Sequence, residues 1–104
     1  MPFPYADRPV RQRRPAVVIA AGELLAEHGL LWLAMITSAA NRGWLGDVPV
    51  SDLRSAGLPI PSIIRAAKIA TIEARDADKL GVAVPEDRAA VAAYLNRVLG
   101  TTLG

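Results

Sequence analysis

Two short apolar runs, Ala16–Ala20 and Leu30–Ile36, constrain the fold of this chain more than any other feature. Each has the length of a strand, and the first is rich in β-branched residues, which favours a strand buried on both faces or nearly so. Between them, Gly22–His28 has the length of a short helix, and Gly29 follows as a helix stop. Periodicity alone also allows a helix for the second run, but Gly29 and the polar Thr37-Ser38 that bound it favour a strand.

The rest of the chain is predicted to form short elements followed by one longer helix. The short elements come in the order surface loop, short strand, turn region, two strand pieces and single turn: Thr37–Gly46, Asp47–Val50, Ser51–Pro61, Ile63-Ile64 with Ile69–Ile72, and Asp76–Leu80. Pro85–Leu99 is the clearest helix, because Pro85 suits a first helical position and Glu86 and Asp87 suit the positive end of the helix dipole. This order predicts one α+β domain, residues 1–104, with a strongly bent sheet or barrel.

Composition excludes several classes of protein. The chain has 104 residues and no cysteine, which rules out a disulfide framework and a thiolate zinc site. The longest uncharged stretch, Gly29–Asn41, is shorter than the roughly 20 residues that cross a bilayer. The N-terminus lacks the pattern of a signal peptide, and the single histidine, His28, has no catalytic partner in register. We therefore expect a cytoplasmic protein that needs no membrane, metal ion or cofactor.

Arginine outnumbers lysine among the basic residues. The chain has ten Arg and two Lys against ten acidic residues, for a net charge of +2. Residues 2–14 form a polar, proline-bearing segment that is predicted as a loop, and it contains four of the arginines: Arg8, Arg11, Arg13 and Arg14. Arg is favoured where planar, bidentate contact with phosphate matters. A GC-rich genome that encodes Arg in place of Lys is the simpler explanation of the overall bias.

An arginine and a threonine flank the two predicted strands. Arg14 lies just before the first strand and Thr37 just after the second, so antiparallel pairing brings both to the same end of the sheet. A guanidinium beside a hydroxyl makes a phosphate site, because it combines a charged fork with a neutral donor. From spacing alone, a surface ion pair for Arg14 and a turn cap for Thr37 are the more ordinary explanation.

Four segments match the pattern of a known family in order and spacing. Residues 13–19 (RRPAVVI) are similar to an RPxVVI strand, and residues 33–38 (LAMITS) to an xxPITS strand that carries an active-site threonine. Residues 46–50 (GDVPV) resemble the next strand, and residues 62–72 (SIIRAAKIATI) an SxVxxDQIRTI segment. The four patterns that these segments resemble are those of the MazF/PemK toxin family, whose members are mRNA interferases. The resemblance extends over essentially the whole chain, including the helix after Val84-Pro85.

The resemblance implies a fold, an activity and a set of site residues. The fold would be a small SH3-like β-barrel with a short inserted helix and a C-terminal helix, usually as a homodimer. The activity would be metal-independent cleavage of single-stranded mRNA, with Arg14 and Thr37 as the catalytic pair and a cognate antitoxin protein as the inhibitor. RNA would be bound by basic, polar and aromatic side chains near that pair: Arg11, Arg13, Ser38, Asn41, Arg42, Trp44, Arg65 and Lys68.

Three of the singled-out residues also have a purely structural interpretation. Trp44 lies in a glycine-flanked loop, where it suits stacking on a base but also suits an anchor that packs the loop onto the body. Trp32 lies within the second apolar run, so it belongs to the core or to a dimer interface. Lys68 is either a phosphate contact or a solvated strand residue. The sequence leaves these alternatives open.

The chain departs from the family pattern in two places. Ala67, Lys68 and Ala70 stand where the SxVxxDQIRTI segment has its Asp, Gln and Arg, which excludes a mechanism that uses that carboxylate as the base. The chain also begins without the GDIVLV-type strand that usually precedes the equivalent of residues 2–5, and a missing strand would leave an open sheet edge. These departures favour an alternative, namely a catalytically degenerate SH3-like binding module or a toxin that acts on a protein target such as gyrase.

Overall fold

A computed structural model describes residues 14–103 of the chain, and the elements alternate between short strands and helices. In chain order they are β1 (Ala16–Ala20), α1 (Gly22–His28), β2 (Leu30–Ser38), a 3-10 turn (Ala39–Asn41), β3 (Asp47–Pro49), α2 (Leu53–Ala56), β4 (Ser62–Glu73), a second 3-10 turn (Ala74–Asp76) and α3 (Pro85–Leu103). The strands form one curled antiparallel sheet in the order β1-β2-β4-β3, a half-barrel, and α3 packs against β3 and β4. The predicted α+β class with a bent sheet is confirmed.

The pairing of β1 with β2 fixes the end of the sheet where the site residues were expected. The two strands are antiparallel, with Ala16 opposite Met35. The amide of Ile36 donates to the carbonyl oxygen of Pro15 at 3.1 Å, which continues the ladder beyond β1. One step further along this register, Arg14 comes opposite Thr37. The predicted antiparallel pairing of the first two strands is therefore confirmed, and it directs Arg14 and Thr37 to the same end of the sheet.

β4 is one strand of 12 residues, so the prediction of two separate pieces was wrong. Its register against β2 shifts in the middle: Ala34 pairs with Ile69, but the next residue, Met35, pairs with Arg65. The three residues between Arg65 and Ile69 have no partner position in β2, and such extra residues bend a strand. Arg65 and Lys68, the charged residues that separate the two predicted pieces, lie at this bend.

The core lies on one face of the sheet, beneath α3. The main cluster of buried residues consists of Ala34, Ile64, Ala66 and Val91, and partly buried apolar side chains surround it: Val17, Ile19, Ile36, Val48, Val50, Tyr94 and Leu95. Leu31, Leu33 and Ile63 are also buried, at strand positions that alternate with Ala34 and Ile64. Residues directly opposite each other share a face, and Ile64 is opposite both Ile36 and Val48. The next position, Arg65, is opposite Met35 and Asp47 and therefore belongs to the other face.

Several predicted loops contain short helices. The segment predicted as a turn region contains α2, whose N-cap Asp52 accepts from the amide of Ser55 at 3.0 Å. The segment predicted as a surface loop begins within β2, since Thr37 and Ser38 are strand residues, and then forms the first 3-10 turn. The single turn predicted at Asp76–Leu80 lies earlier, at Ala74–Asp76, because only that segment closes its backbone hydrogen bonds.

The last helix is held to the sheet by a buried carboxylate. Asp87, which is 4% exposed, accepts from the amide of Ser51 at 2.8 Å and from its hydroxyl at 2.5 Å. α3 runs to Leu103, four residues beyond the predicted end. No helix within residues 14–103 combines the length and the apolar character that a bilayer crossing demands.

Candidate functional site

Thr37 lies at the C-terminal end of β2, with its hydroxyl oriented by a neighbouring amide. The side-chain nitrogen of Asn41 donates to Oγ1 of Thr37 at 3.0 Å. A hydroxyl that accepts this bond keeps its own hydrogen for another acceptor. Arg14 is exposed, and continuing the register of β1 with β2 brings it opposite Thr37. A cation and a hydroxyl donor therefore lie at the same end of the sheet. This pairing has the chemistry of a phosphate site.

Ser38 has a structural task in the same turn. Its side-chain oxygen accepts from the amide of Ala40 at 3.2 Å, which caps the 3-10 turn that follows β2. The turn in turn places Asn41 over Thr37. Ser38 thus shapes the loop, and its hydroxyl hydrogen is available to a further acceptor.

Arg65 reaches from β4 to the underside of the loop that follows β2. It is 8% exposed, and its guanidinium makes two bonds of 3.1 Å to the two carboxylate oxygens of Asp47. The same Nη2 donates to the carbonyl oxygen of Asn41 at 2.6 Å. A bidentate pair of this kind fixes geometry as well as charge. Arg65 therefore ties β4, β3 and the loop together.

Trp44 covers this ion pair and also meets solvent. The guanidinium carbon of Arg65 lies 4.1 Å from the centre of the Trp44 ring, and the residue remains 53% exposed. The carboxylate of Asp47 accepts from the amides of Gly43 and Trp44 at 3.1 and 3.0 Å. The interpretation of Trp44 as a loop anchor agrees with these contacts, and its exposure leaves the stacking interpretation open.

The electrostatics of the loop centre on Asp47. The hydrogen bonds from Arg65, reinforced by the amides of Trp44 and Gly43, hold the pKa of this carboxyl below its ordinary value of 3.8, against the opposing effect of burial. Asp47 is therefore a carboxylate at neutral pH and compensates the buried charge of Arg65. Without it, Arg65 would be an unpaired buried cation, which is strongly unfavourable.

The far end of the loop is closed by a glycine packed against α3. Gly46 has a φ of 85°, and a Cβ at this position would lie 2.7 Å from the ring of Tyr94. Both the backbone conformation and the close approach require glycine. The loop between Ala39 and Gly46, which we call the clamp loop, is therefore fixed at both ends.

The other predicted site residues are distributed around this centre. Arg42 is exposed on the clamp loop, and Lys68 is exposed on β4 within the three residues that follow Arg65. Arg11 and Arg13 lie outside the described residues. His28 is exposed at the end of α1, away from the clamp loop in sequence and sheet position. The contacts thus link Thr37 to Asn41, Asn41 to Arg65 and Arg65 to Trp44. The register of β1 with β2 directs Arg14 to the same end of the sheet as Thr37.

Sequence reasoning missed Asp47, which organises the loop. Its position after Gly46 at the start of a strand was read only as a strand boundary. A carboxylate with an arginine 18 residues later gives no local signal, because the register of β3 with β4 brings the two together. Among residues 14–103, no three His, Asp or Glu side chains are grouped closely enough to hold a metal ion.

The comparison with protein families is decisive. The family model of PemK-like, MazF-like toxins of type II toxin-antitoxin systems matches residues 1–99. The chain belongs to this family. A search of curated proteins gave no significant match.

Solved MazF structures share the fold of this PemK/MazF-like toxin. The toxin MazF-mt6 of Mycobacterium tuberculosis superposes with a TM-score of 0.67 at 23% identity, over 84% of this chain and 86% of its own. MazF from Deinococcus radiodurans gives 0.68 at 25% identity, over 93% and 86%. MazE-MazF from the same organism gives 0.69 at 24% identity, over 85% and 83%. The MazF-like fold implied by the sequence is therefore confirmed.

Proposed function

We propose that this PemK/MazF-like toxin is an endoribonuclease that cleaves single-stranded mRNA without a metal ion. Family membership supports the class, because MazF-like toxins are generally endoribonucleases. The observation that carries the proposal for this chain is the register that brings Arg14 opposite Thr37, with the Thr37 hydroxyl oriented by Asn41.

The proposed chemistry uses the RNA's own nucleophile. The 2′-hydroxyl attacks the adjacent phosphorus, the bond to the 5′ oxygen breaks, and a cyclic phosphate and a 5′-hydroxyl end result. Negative charge grows on the phosphoryl oxygens in the transition state. Arg14 would stabilise this charge as a cation and Thr37 as a hydroxyl donor, and donors held in place before the reaction are the most effective.

Side chains other than Arg14 and Thr37 are proposed to contact the rest of the RNA strand. Single-stranded RNA is held by phosphate contacts and by stacking of bases on aromatic rings. We propose that Ser38 and Asn41 supply hydrogen-bonding groups to the strand and that Arg42 and Lys68, which are both exposed, supply cations. We propose that Arg11 and Arg13, which precede Arg14 in the sequence, extend the basic surface.

A protein antitoxin is the proposed regulator. One of the structures similar to this chain is MazE-MazF from Deinococcus radiodurans. By analogy, we propose that this chain also binds a cognate antitoxin. A basic surface that holds RNA phosphates also attracts an acidic, partly disordered segment. We propose that such a segment crosses residues 11–14 and the clamp loop in the cytoplasm, where it blocks access of mRNA.

The test compares two site variants with matched controls. Arg14→Ala and Thr37→Val should each lower the rate of cleavage of single-stranded RNA at least about a hundredfold, the scale of losing one transition-state donor. Thr71→Val on the exposed half of β4 and Arg75→Ala in the 3-10 turn that follows it replace the same residue types and should keep the wild-type rate. EDTA should leave all rates unchanged.

The outcomes separate the proposal from its alternative. Full activity in folded Arg14→Ala would contradict the mechanism. A wild-type protein that binds RNA or a protein target but cleaves no RNA would favour the alternative, a catalytically degenerate binding module. That alternative is supported by Ala67, which stands where the family pattern has an acid.

A further inference from the structure

Arg65 uses most of its hydrogen-bonding capacity inside the protein. Of its five N–H groups, one on Nε and both on Nη2 are directed at Asp47 and at the carbonyl oxygen of Asn41. Its side chain is 10% exposed. A guanidinium in this state has little to offer an RNA phosphate, so direct RNA contact does not explain its place beneath the site.

The contacts of Arg65 converge on the ring of Trp44. The guanidinium covers one face of the ring at 4.1 Å, and Asp47 fixes the backbone amide of the same residue. Because Arg65 covers one face of the ring and the residue is still 53% exposed, solvent reaches Trp44 at parts that Arg65 does not cover. Trp44 is thus an aromatic ring that is held on one face by Arg65 and is partly accessible to solvent.

This ring and Thr37 share one anchor. The backbone carbonyl of Asn41 accepts from Arg65, while the side chain of the same residue donates to Thr37. The distance between ring and hydroxyl is therefore set by a continuous set of hydrogen bonds. An aromatic ring that is fixed before binding loses little conformational entropy when a base stacks on it.

We propose that Trp44 is a stacking platform for an unpaired RNA base next to the cleaved phosphate, and that Arg65 is the residue that positions it. The proposal rests on the proposed function, since it assigns a role in RNA binding at the same site. Arg65 acts through Trp44 and Asn41 and does not itself touch the RNA. Stacking on a ring is tolerant of base identity, so the platform contributes affinity before it contributes sequence preference.

Fluorescence tests the platform directly. A single-stranded 2′-O-methyl RNA cannot be cleaved, because its nucleophile is blocked, and its bases should quench the emission of Trp44 on binding. An abasic strand of equal length and charge should bind more weakly and quench little. The Trp44→Leu protein, which retains Trp32, gives the baseline and should show no quenching. Equal quenching by the abasic strand would overturn the proposal.

Kinetics on mixed-sequence single-stranded RNA test the role of the platform in cleavage. Trp44→Leu should raise KM about tenfold with little change in kcat, in line with the loss of one stacked base, whereas Trp44→Phe should recover most of the affinity. Leu45→Ala removes an even more exposed apolar side chain from the same loop and serves as the matched control. A KM for Trp44→Leu equal to that of the wild type would remove the platform.

A double-mutant cycle tests the positioning role. Arg65→Lys keeps the charge but loses the flat bidentate fork, so it should raise KM several-fold in the wild-type background and have no further effect in the Trp44→Leu background. Equal effects in both backgrounds would show that Arg65 acts by another route. If the wild-type protein cleaves RNA, failure of these tests removes only the platform; if it neither binds nor cleaves RNA, both proposals fail.

Discussion

The two halves of β4 belong to one continuous strand but differ in their exposure to solvent. The first half, Ser62–Ala66, is buried at every position and lies between β2 and β3. The second half, residues 67–73, is exposed at five of its seven positions and borders only β2. The register shift after Arg65 separates them. Burial on both sides lets the first half hold a charged side chain rigidly, and exposure gives the second half a surface that a partner can cover.

The ion pairs on the two halves show what this difference means. Arg65 and Asp47 have side chains that are 10% and 9% exposed, whereas Arg75 and Glu73, at the exposed end, are 78% and 53% exposed. Exposed pairs contribute little to stability, because water screens them and side-chain entropy opposes them. The buried pair therefore holds the clamp loop in place, whereas the exposed pair lies at and just beyond the end of β4 and is expected to add little stability.

The largest effect is expected when the buried half loses its cation. Arg65→Met takes the cation away from the carboxylate of Asp47, which then keeps only the amide bonds from Gly43 and Trp44, and the free energy of unfolding should fall by about 3 kcal/mol. Urea unfolding followed by circular dichroism measures this change.

The matched control for that variant lies three residues away on the exposed half. Lys68→Met should change the free energy of unfolding by less than about 0.5 kcal/mol, as exposed substitutions usually do. Similar losses in the two variants would erase the distinction between the halves.

A smaller effect is expected when a charge is placed on the exposed half. Trp32 and Ile69 are 44% and 43% exposed, and they lie on the same face, because Trp32 pairs with Thr71. We propose that a second copy of the chain covers this face in a two-fold dimer. Trp32→Glu should then weaken dimerisation by about 2 kcal/mol or more, the scale of a tryptophan at the centre of an interface.

Light scattering measures this outcome. The wild-type protein should give about twice 11.0 kDa, and the variant should approach 11.0 kDa at low micromolar concentration. Leu25→Glu alters an equally exposed apolar residue on α1 and should leave the dimer intact. A Trp32→Glu protein that stays dimeric would place the interface elsewhere.

The smallest effect concerns pH. The pKa of Asp47 is lowered in the folded state, so its stabilising contribution is complete above the ordinary value of 3.8 and is lost as the pH falls below it. The stability advantage of the wild type over Asp47→Asn should therefore narrow between about pH 5 and about pH 2. Asp52, whose pKa is lowered by bonds from Ser55, contributes equally to both proteins and cancels.

Urea midpoints of the two proteins across this range provide the measurement. A constant difference from neutral to acid pH would mean that Asp47 does not stabilise the fold through its charge. Arg75→Ala, which removes the exposed ion pair with Glu73 just beyond β4, serves as the control for this comparison.

The sequence predicts well those elements that local signals define. β1 and α1 were predicted with their observed bounds, because an apolar β-branched run and a C-terminal glycine are properties of neighbouring residues. The helix α3 was predicted from its first turn, where a proline and two acids lie. Its end was placed too early, at Leu99, because Gly100 was taken as a helix stop, whereas the helix continues through this glycine to Leu103.

Signals that depend on distant partners were lost. Arg65 within an apolar segment was read as a break in the strand, because nothing nearby neutralises its charge. Its partner Asp47 lies on β3, and only the sheet register brings the two together. The short helix α2 was missed although Asp52 three residues before Ser55 is an N-cap signal, since the surrounding prolines and glycine favoured a turn.

The site was predicted in part for the same reason. Arg14 and Thr37 were placed together from the order of two strands and a short connection, and the register agrees. The support beneath them, which consists of Arg65, Asp47 and the ring of Trp44, depends on three separate segments and could not be read from any one of them.

The closed end of the clamp loop limits how the protein can be re-engineered. Because Gly46 fits under Tyr94 without a side chain, and Asp47 holds the two amides that precede it, the loop cannot be lengthened or exchanged as a unit without releasing it from α3. Substitutions in this loop are better directed at Arg42 and Leu45, which are exposed between these fixed points. The loop is then a frame with two interchangeable positions.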